Sequence, residues 1–440
     1  MPHLGISAGP RAVPDAAARP GRLPKRARAL AALATLTVTL ALAACGGSTA
    51  GSGTTPAATS ASAAADQLLG PVNQAKGTPV KIGMISDGKG AVTDLSFESA
   101  VADVTVKYLN DRKGGLAGHP IELVKCDTLA DPAKGTDCAN RMVEDNVAAV
   151  VVGSTAVSEG MWPPLHQAHI PVLFGGANSA SIMTDKDSSF VLADALFGLV
   201  TLPIQLAKEN KVDTVSAVAI DVPAVMSIYQ TIAPAAFKAA GIKLDVVAVP
   251  PGTADMTPQM QRIASGGPRV VQVIGSDSFC IAALNGLHTV GFTGPVTAIA
   301  QCITDATRKA VPGSVLKGVT VTATAPIGTD NPSTRLFAAV VNTYGKGSDI
   351  EINRQGSLSM FTVVAALQSA TTGLTGDVTP ASITTAIKSM PVQPLPGADP
   401  MKFQCGGKAN PATPAVCVKG GLVTDLDSKG EPTTYRALGG

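Results

Sequence analysis

Two short clusters of hydroxyl-bearing residues stand out as places where this chain could hold a ligand. Gly153-Ser154-Thr155-Ala156-Val157-Ser158 follows the aliphatic run 148–152, and Ala177-Asn178-Ser179 follows the apolar run 171–174. Hydroxyls and backbone N–H groups at a helix start suit a carboxylate or a carbonyl, because free N–H groups and the helix dipole both attract negative charge. Neither cluster contains Lys or Arg, so neutral donors must do the gripping. Ser and Thr also cap helices with no ligand present. That both clusters follow strand ends favours ligand contact.

Other candidate chemistry is weaker. Gly83-Met84-Ile85-Ser86-Asp87-Gly88-Lys89 fits the first seven positions of a nucleotide-binding P-loop. The eighth position is Gly90, which has no hydroxyl for Mg²⁺, so the stretch reads as a strand end and cleft loop. His166 and His169 are three apart, not four, and Pro171 soon ends their helix, so no zinc pair is expected. No G-x-S-x-G elbow occurs and no nucleophile–base pair is evident. The chain is therefore expected not to be an enzyme, with no metal and no cofactor.

Seven cysteines divide into Cys45 and six downstream. Cys45 closes Leu42-Ala43-Ala44-Cys45-Gly46, behind the basic residues Arg22, Lys25, Arg26 and Arg28 and the apolar run 29–44. As a helix that run would span about 24 Å, short of a roughly 30 Å hydrocarbon core. The pattern resembles a bacterial lipobox, in which Cys45 carries the lipid. Residues 1–45 are then a lipoprotein signal peptide, and residues 46–77, mainly Gly, Ser, Thr, Ala and Pro, a flexible tether. An exported chain meets an oxidising compartment. The downstream cysteines are Cys126, Cys138, Cys280, Cys302, Cys405 and Cys417. Six cysteines allow 15 pairings; neighbour pairing is preferred because each pair lies within one expected supersecondary unit, and zinc-type spacing is missing.

The elements that position these residues alternate strand and helix. Phe97, Val101, Val104, Tyr108 and Leu109 share one helical face, and Gly114-Gly115 stops that helix. Asp131-Pro132 opens the next as N-cap and first residue. The run 148–152 lacks alternation, which suits a parallel strand covered on both faces. From residue 198 the strand–helix order begins again. The chain has 440 residues, a net charge of +2 and 15% charged residues, which gives no reason to expect nucleic acid.

The stretch KIGMIS, then YLNDRKGGLAGHPIELV, then CDTLADPAKGTDCANRMVEDNVAAVVVGS resembles the type I solute-binding proteins of ABC importers, in particular the branched-chain amino-acid-binding group. The resemblance implies an α/β fold of two Rossmann-like βα lobes joined by a three-segment hinge. Lobe 1 would hold residues 78–196 and 325–394, and lobe 2 residues 197–324 and 395–440, with crossings near Leu196, Ala325 and Pro394. It implies a small-molecule ligand, an amino acid or related amide or organic acid, an ABC permease as partner, and anchorage on the outer face of the cell membrane. A ligand-sensing receptor subunit is the alternative role. By this similarity Thr155 or Ser158 supplies a hydroxyl, Ala177 a backbone contact and Ser179 a second hydroxyl. Lobe 2 departs from the pattern: Asp221-Val222-Pro223-Ala224 replaces a tyrosine–glycine pair, and Ala300-Gln301-Cys302 supplies no acid for an amine. Asp277 or Asp305 is the substitute the sequence offers.

The lipobox reading has a direct test. The Cys45→Ala chain is expected to lose metabolic labelling with fatty acid and to leave the detergent phase on partition. Wild-type labelling of the variant would overturn it.

Overall fold

In the computed structural model, which describes residues 66–90, 94–177 and 179–439, strand and helix alternate from β1 (Val80–Ser86) onward. There follow α1 (Phe97–Arg112), β2 (Ile121–Asp127), α2 (Pro132–Glu144), β3 (Ala149–Val152), α3 (Ser158–Gln167), β4 (Val172–Phe174), α4 (Ala180–Thr184) and β5 (Ser189–Val191). These five strands form one parallel sheet in the order β2-β1-β3-β4-β5. Every residue of β3 is buried, as expected for an aliphatic strand with layers on both faces. Asp131 caps α2 by accepting from the N–H groups of Ala133 and Lys134, with Pro132 as the first helical residue.

The second half repeats the plan. A π-turn (Phe197–Thr201) runs into α5 (Leu202–Glu209), then β6 (Thr214–Ile220), α6 (Pro223–Thr231), α7 (Ala233–Ala240), β7 (Lys243–Val249), α8 (Thr257–Ala264), β8 (Val270–Ile274), α9 (Asp277–Thr289) and β9 (Val296–Ala298). After α10 (Asp305–Ala310) and α11 (Gly313–Leu316) come β10 (Thr320–Ala323), α12 (Pro332–Tyr344), α13 (Gln355–Ala370), α14 (Pro380–Ser389), β11 (Gln393–Pro394), β12 (Lys402–Phe403), β13 (Gly421–Leu426) and β14 (Pro432–Leu438). The second sheet has the order β14-β13-β10-β9-β8-β6-β7, with β13 and β14 antiparallel additions. A core cluster built around the first sheet takes in α12, α13 and α14, while two clusters pack on the second sheet. The fold is α/β with two Rossmann-like lobes. α12, α13 and α14 return to lobe 1, so the chain enters lobe 2 near Leu196 and leaves it near Ala325.

Two expectations need correction. Composition predicts a free tether to residue 77, yet residues 66–77 are packed on lobe 1. Leu69 is buried in its core, Asn73 and Ala75 donate their N–H groups to the Asp111 and Asn110 carbonyls, and Arg112 reaches Asp66 and the Gly70 carbonyl, each at 2.8 Å. The adjacent Leu68-Leu69 pair supplies the anchor that averaging over a polar tract hides. Residues 1–65, with Cys45 and the expected signal peptide, lie outside the described residues.

The second correction concerns the third crossing. Residues 395–418 were expected in lobe 2, but Leu395, Phe403, Cys405 and Val416 belong to the lobe 1 core. The cause is an unpaired edge: Val191 of β5 donates to the Ala415 carbonyl and accepts from the Cys417 N–H, both at 2.8 Å. A bare sheet edge is a template for pairing, and this segment covers it. The chain therefore passes into lobe 2 between Val418 and Gly421, not near Pro394. The cysteines pair as neighbours, Cys126–Cys138, Cys280–Cys302 and Cys405–Cys417.

Leu69→Ala tests the packing of the N-terminal segment. Removing a buried leucine is expected to cost about 2–4 kcal/mol in denaturant unfolding, whereas loss of a side chain in a free tether would leave the midpoint unchanged.

Candidate functional site

The first sheet reverses its strand order between β1 and β3, since the chain steps from β1 to β2 on one side and from β3 to β4 on the other. Crossovers on opposite faces leave a crevice beyond the carboxyl ends of such a pair. Three segments meet in it: Ser86-Asp87 at the end of β1, Gly153-Ser154-Thr155 after β3, and the first turn of α1 with Glu98. A cavity of about 410 Å³ opens here, lined by Glu98, Ser154, Thr155, Ser158, Ala177 and Thr324 among others. A second cavity of about 550 Å³ shares Leu192, Ala193, Thr324 and Leu395 with it and extends to Ile299, Ala300 and Gln301 of lobe 2. The combined cleft has walls from both lobes and from the hinge.

Asp87 is buried and fully engaged. Its Oδ1 accepts from the hydroxyls of Thr128 at 2.6 Å and Thr155 at 2.8 Å, and its Oδ2 accepts from the Ala156 N–H at 2.8 Å. Thr155 in turn accepts from the Val157 N–H at 3.1 Å. The donors just ahead of α3, which the sequence offered to a ligand anion, are thus occupied by a carboxylate of the protein itself.

Glu98 is 1% exposed and borders the cavity. The Ser86 hydroxyl donates to its Oε2 at 2.6 Å. Burial pushes its carboxyl up to about 7; the nearby Asp87 adds to the rise, while hydrogen bonds from the Ser86 hydroxyl and Ser154 backbone and the charge of Arg354 oppose it. A Cβ on Gly153 would collide with this carboxylate and with Met360, so glycine is what lets β3's end approach Glu98. In the second cavity, burial likewise holds Asp194 above the usual carboxylate range.

Of the residues singled out in the sequence, Thr155, Ser158 and Ala177 line the first cavity together. Ser179 stands at the N-cap of α4, 2.6 Å from the Ser181 hydroxyl, and is not among the lining residues. Asp277 is the first residue of α9, its Oδ1 accepting from the Ser278 N–H, and lines neither cavity of this cleft. Asp305 pairs with Arg308 at 3.2 Å beside a further cavity, toward Asn353 and Gln355. Thus neither lobe 2 acid reaches the Thr155 cluster. The residues that sequence reasoning missed are Asp87 and Glu98. A signal existed: Glu98 lies three before Val101 and seven before Thr105, on the buried face of α1.

A family model described as "Periplasmic binding protein" matches residues 79–421, most of the chain, and the chain belongs to that family, in its type I branch. None of the curated proteins matches it. Among solved structures, a candidate branched-chain amino acid ABC transporter from Rhodospirillum rubrum superposes with a TM-score of 0.67 at 16% identity, covering 82% of this chain and 100% of that one. A solute-binding protein of an ABC transporter from Rhodopseudomonas palustris, in complex with p-hydroxybenzoic acid, gives 0.60 at 19% identity, covering 82% and 98%. A branched-chain amino acid transporter substrate-binding protein from Streptococcus pneumoniae, in complex with isoleucine, gives 0.57 at 14%, covering 82% and 99%. At these identities the likeness is one of fold. Among the described residues no helix is long and apolar enough to cross a membrane.

The Glu98 geometry sets a pH-dependent stability. Its folded value, raised from 4.5 to about 7, means the unfolded chain loses this proton first. Stability is therefore full below about 4.5, falls as pH rises toward 7, and is level above. Glu98→Gln cannot ionise, so its stability relative to wild type is expected to improve by about 3 kcal/mol between about pH 4 and about pH 8. Taking the difference cancels any fixed cost of the amide. Parallel pH profiles in denaturant titrations would contradict the assignment.

Proposed function

We propose that this protein is the extracytoplasmic substrate-binding subunit of an ABC importer, held at the outer face of the membrane by lipid on Cys45. It takes a small solute into the interlobe cleft, closes about the hinge, and presents the closed form to a membrane permease. Membership of the family supports the role, and one observation carries the choice of site. The cavity at the β1/β3 switch point opens into a second cavity walled by lobe 2, so hinge motion changes the volume available to a ligand. Binding, not catalysis, accounts for the residues present. The lining offers hydroxyls and backbone groups, with Glu98 in the first cavity and Asp194 in the second. The ligand is a small solute of the amino-acid, amide or organic-acid class.

A thermal-shift screen across those three classes is the first measurement, because a ligand that binds the native state alone raises its stability. With a ligand so found, small-angle scattering is expected to show a smaller radius of gyration in the bound state, as hinge-bending binders close on their ligands. An unchanged radius at saturation would show that the cleft is already closed.

A further inference from the structure

We propose that the cleft selects a ligand that presents an N–H donor to Glu98, as an amide, amine or amidine, and discriminates against a carboxylate at that position. The inference rests on the solute-binding reading above and specifies the chemistry of its ligand. Glu98 is the one charged residue among the described residues lining the first cavity. Of the groups suited to gripping an anion there, the Thr155 hydroxyl and the Ala156 N–H already donate to Asp87. A ligand carboxylate placed against Thr155 would thus meet a second carboxylate behind the donors and a third at Glu98, with no cation in the lining.

The surroundings of Glu98 are mixed. From β1 it receives the Ser86 hydroxyl, and beyond β1 lies Asp87. From the end of β3 it receives the Ser154 backbone, and from the N-terminus of α13 it feels the charge of Arg354. The Arg354 guanidinium lies 3.8 Å from the centre of the Phe97 ring and donates to the Asp94 carbonyl at 3.2 Å. It is held outside the cavity lining. A carboxyl group poised this way can accept a charge-assisted hydrogen bond from a ligand N–H once ionised. Such a donor favours the ionised form, so binding expels a proton and affinity rises with pH through the neutral range. A ligand carboxylate would need the protonated form, and its affinity would fall over the same range.

Matched probes separate these cases. Acetamide is compared with acetate, isovaleramide with isovalerate, and benzamide and benzamidine with benzoate, by thermal shift and calorimetry on the full chain at about pH 5.5 and about pH 8. The expected result is binding by nitrogen-bearing members, tighter at the higher pH. Glu98→Gln should lose the pH dependence and about 10- to 100-fold of the affinity at the higher pH. Binding by carboxylates alone, or affinity that falls with pH, would overturn the donor assignment while leaving the solute-binding reading standing. Binding with no pH dependence and no effect of Glu98→Gln would also overturn it. Silence from every probe in the wild-type chain counts against both readings, the donor class included.

Discussion

Asp87 lies just past β1 and accepts hydrogen bonds from Thr128, just past β2, and from Thr155 and Ala156, just past β3. The carboxyl ends of three parallel strands are thereby tied at one buried point. A carboxylate taken out of water is tolerated only when its oxygens are satisfied, and three donors at 2.6 to 2.8 Å meet that need. The rest of the cleft depends on this knot. It fixes the loop that leads into α3, places Ser158 on the cavity wall, and leaves Glu98 as the next polar group inward.

Glu98 is held differently. It is buried on the inner face of α1, alongside Val101 and Thr105, and faces a cavity instead of a closed core. A closed core would hold an aliphatic side chain at that place more cheaply, because a buried acid either desolvates its charge or keeps its proton. The raised value of about 7 shows how strongly burial acts here. A buried acid beside a cavity differs in this from Asp87, whose needs the protein itself meets.

Lobe 1 is built from pieces distant in the sequence. Helices α12 and α13 pack against α1, and residues 66–77 and 395–418 add an outer layer. The first of these is clamped by Arg112, which also donates to the Tyr344 hydroxyl at 3.2 Å; that hydroxyl donates to Asp111 at 2.6 Å. The second covers the β5 edge and is closed by Cys405–Cys417.

Local rules were enough for much of this. The apolar period of α1, the Asp131-Pro132 start of α2 and the aliphatic β3 each depend on neighbours within a turn or a strand, so the alternating α/β plan and the hydroxyl clusters at strand ends were legible in the residues alone. Neighbour pairing of the cysteines followed from the same plan. What the sequence could not assign depends on partners far along the chain. Thr155 meets Asp87 across a separation of 68 residues, which turns an apparent ligand donor into an internal one. The three-residue β5 carries no pattern of its own, so nothing local announced that residues 395–418 would cover its edge. Leu69 sits in a polar tract whose composition argues for a free tether, and only the groove beside α1 makes burial of that leucine favourable. Glu98 showed an acid on an apolar helical face, but whether that face meets solvent, core or cavity is decided by how β1, β3 and α13 converge.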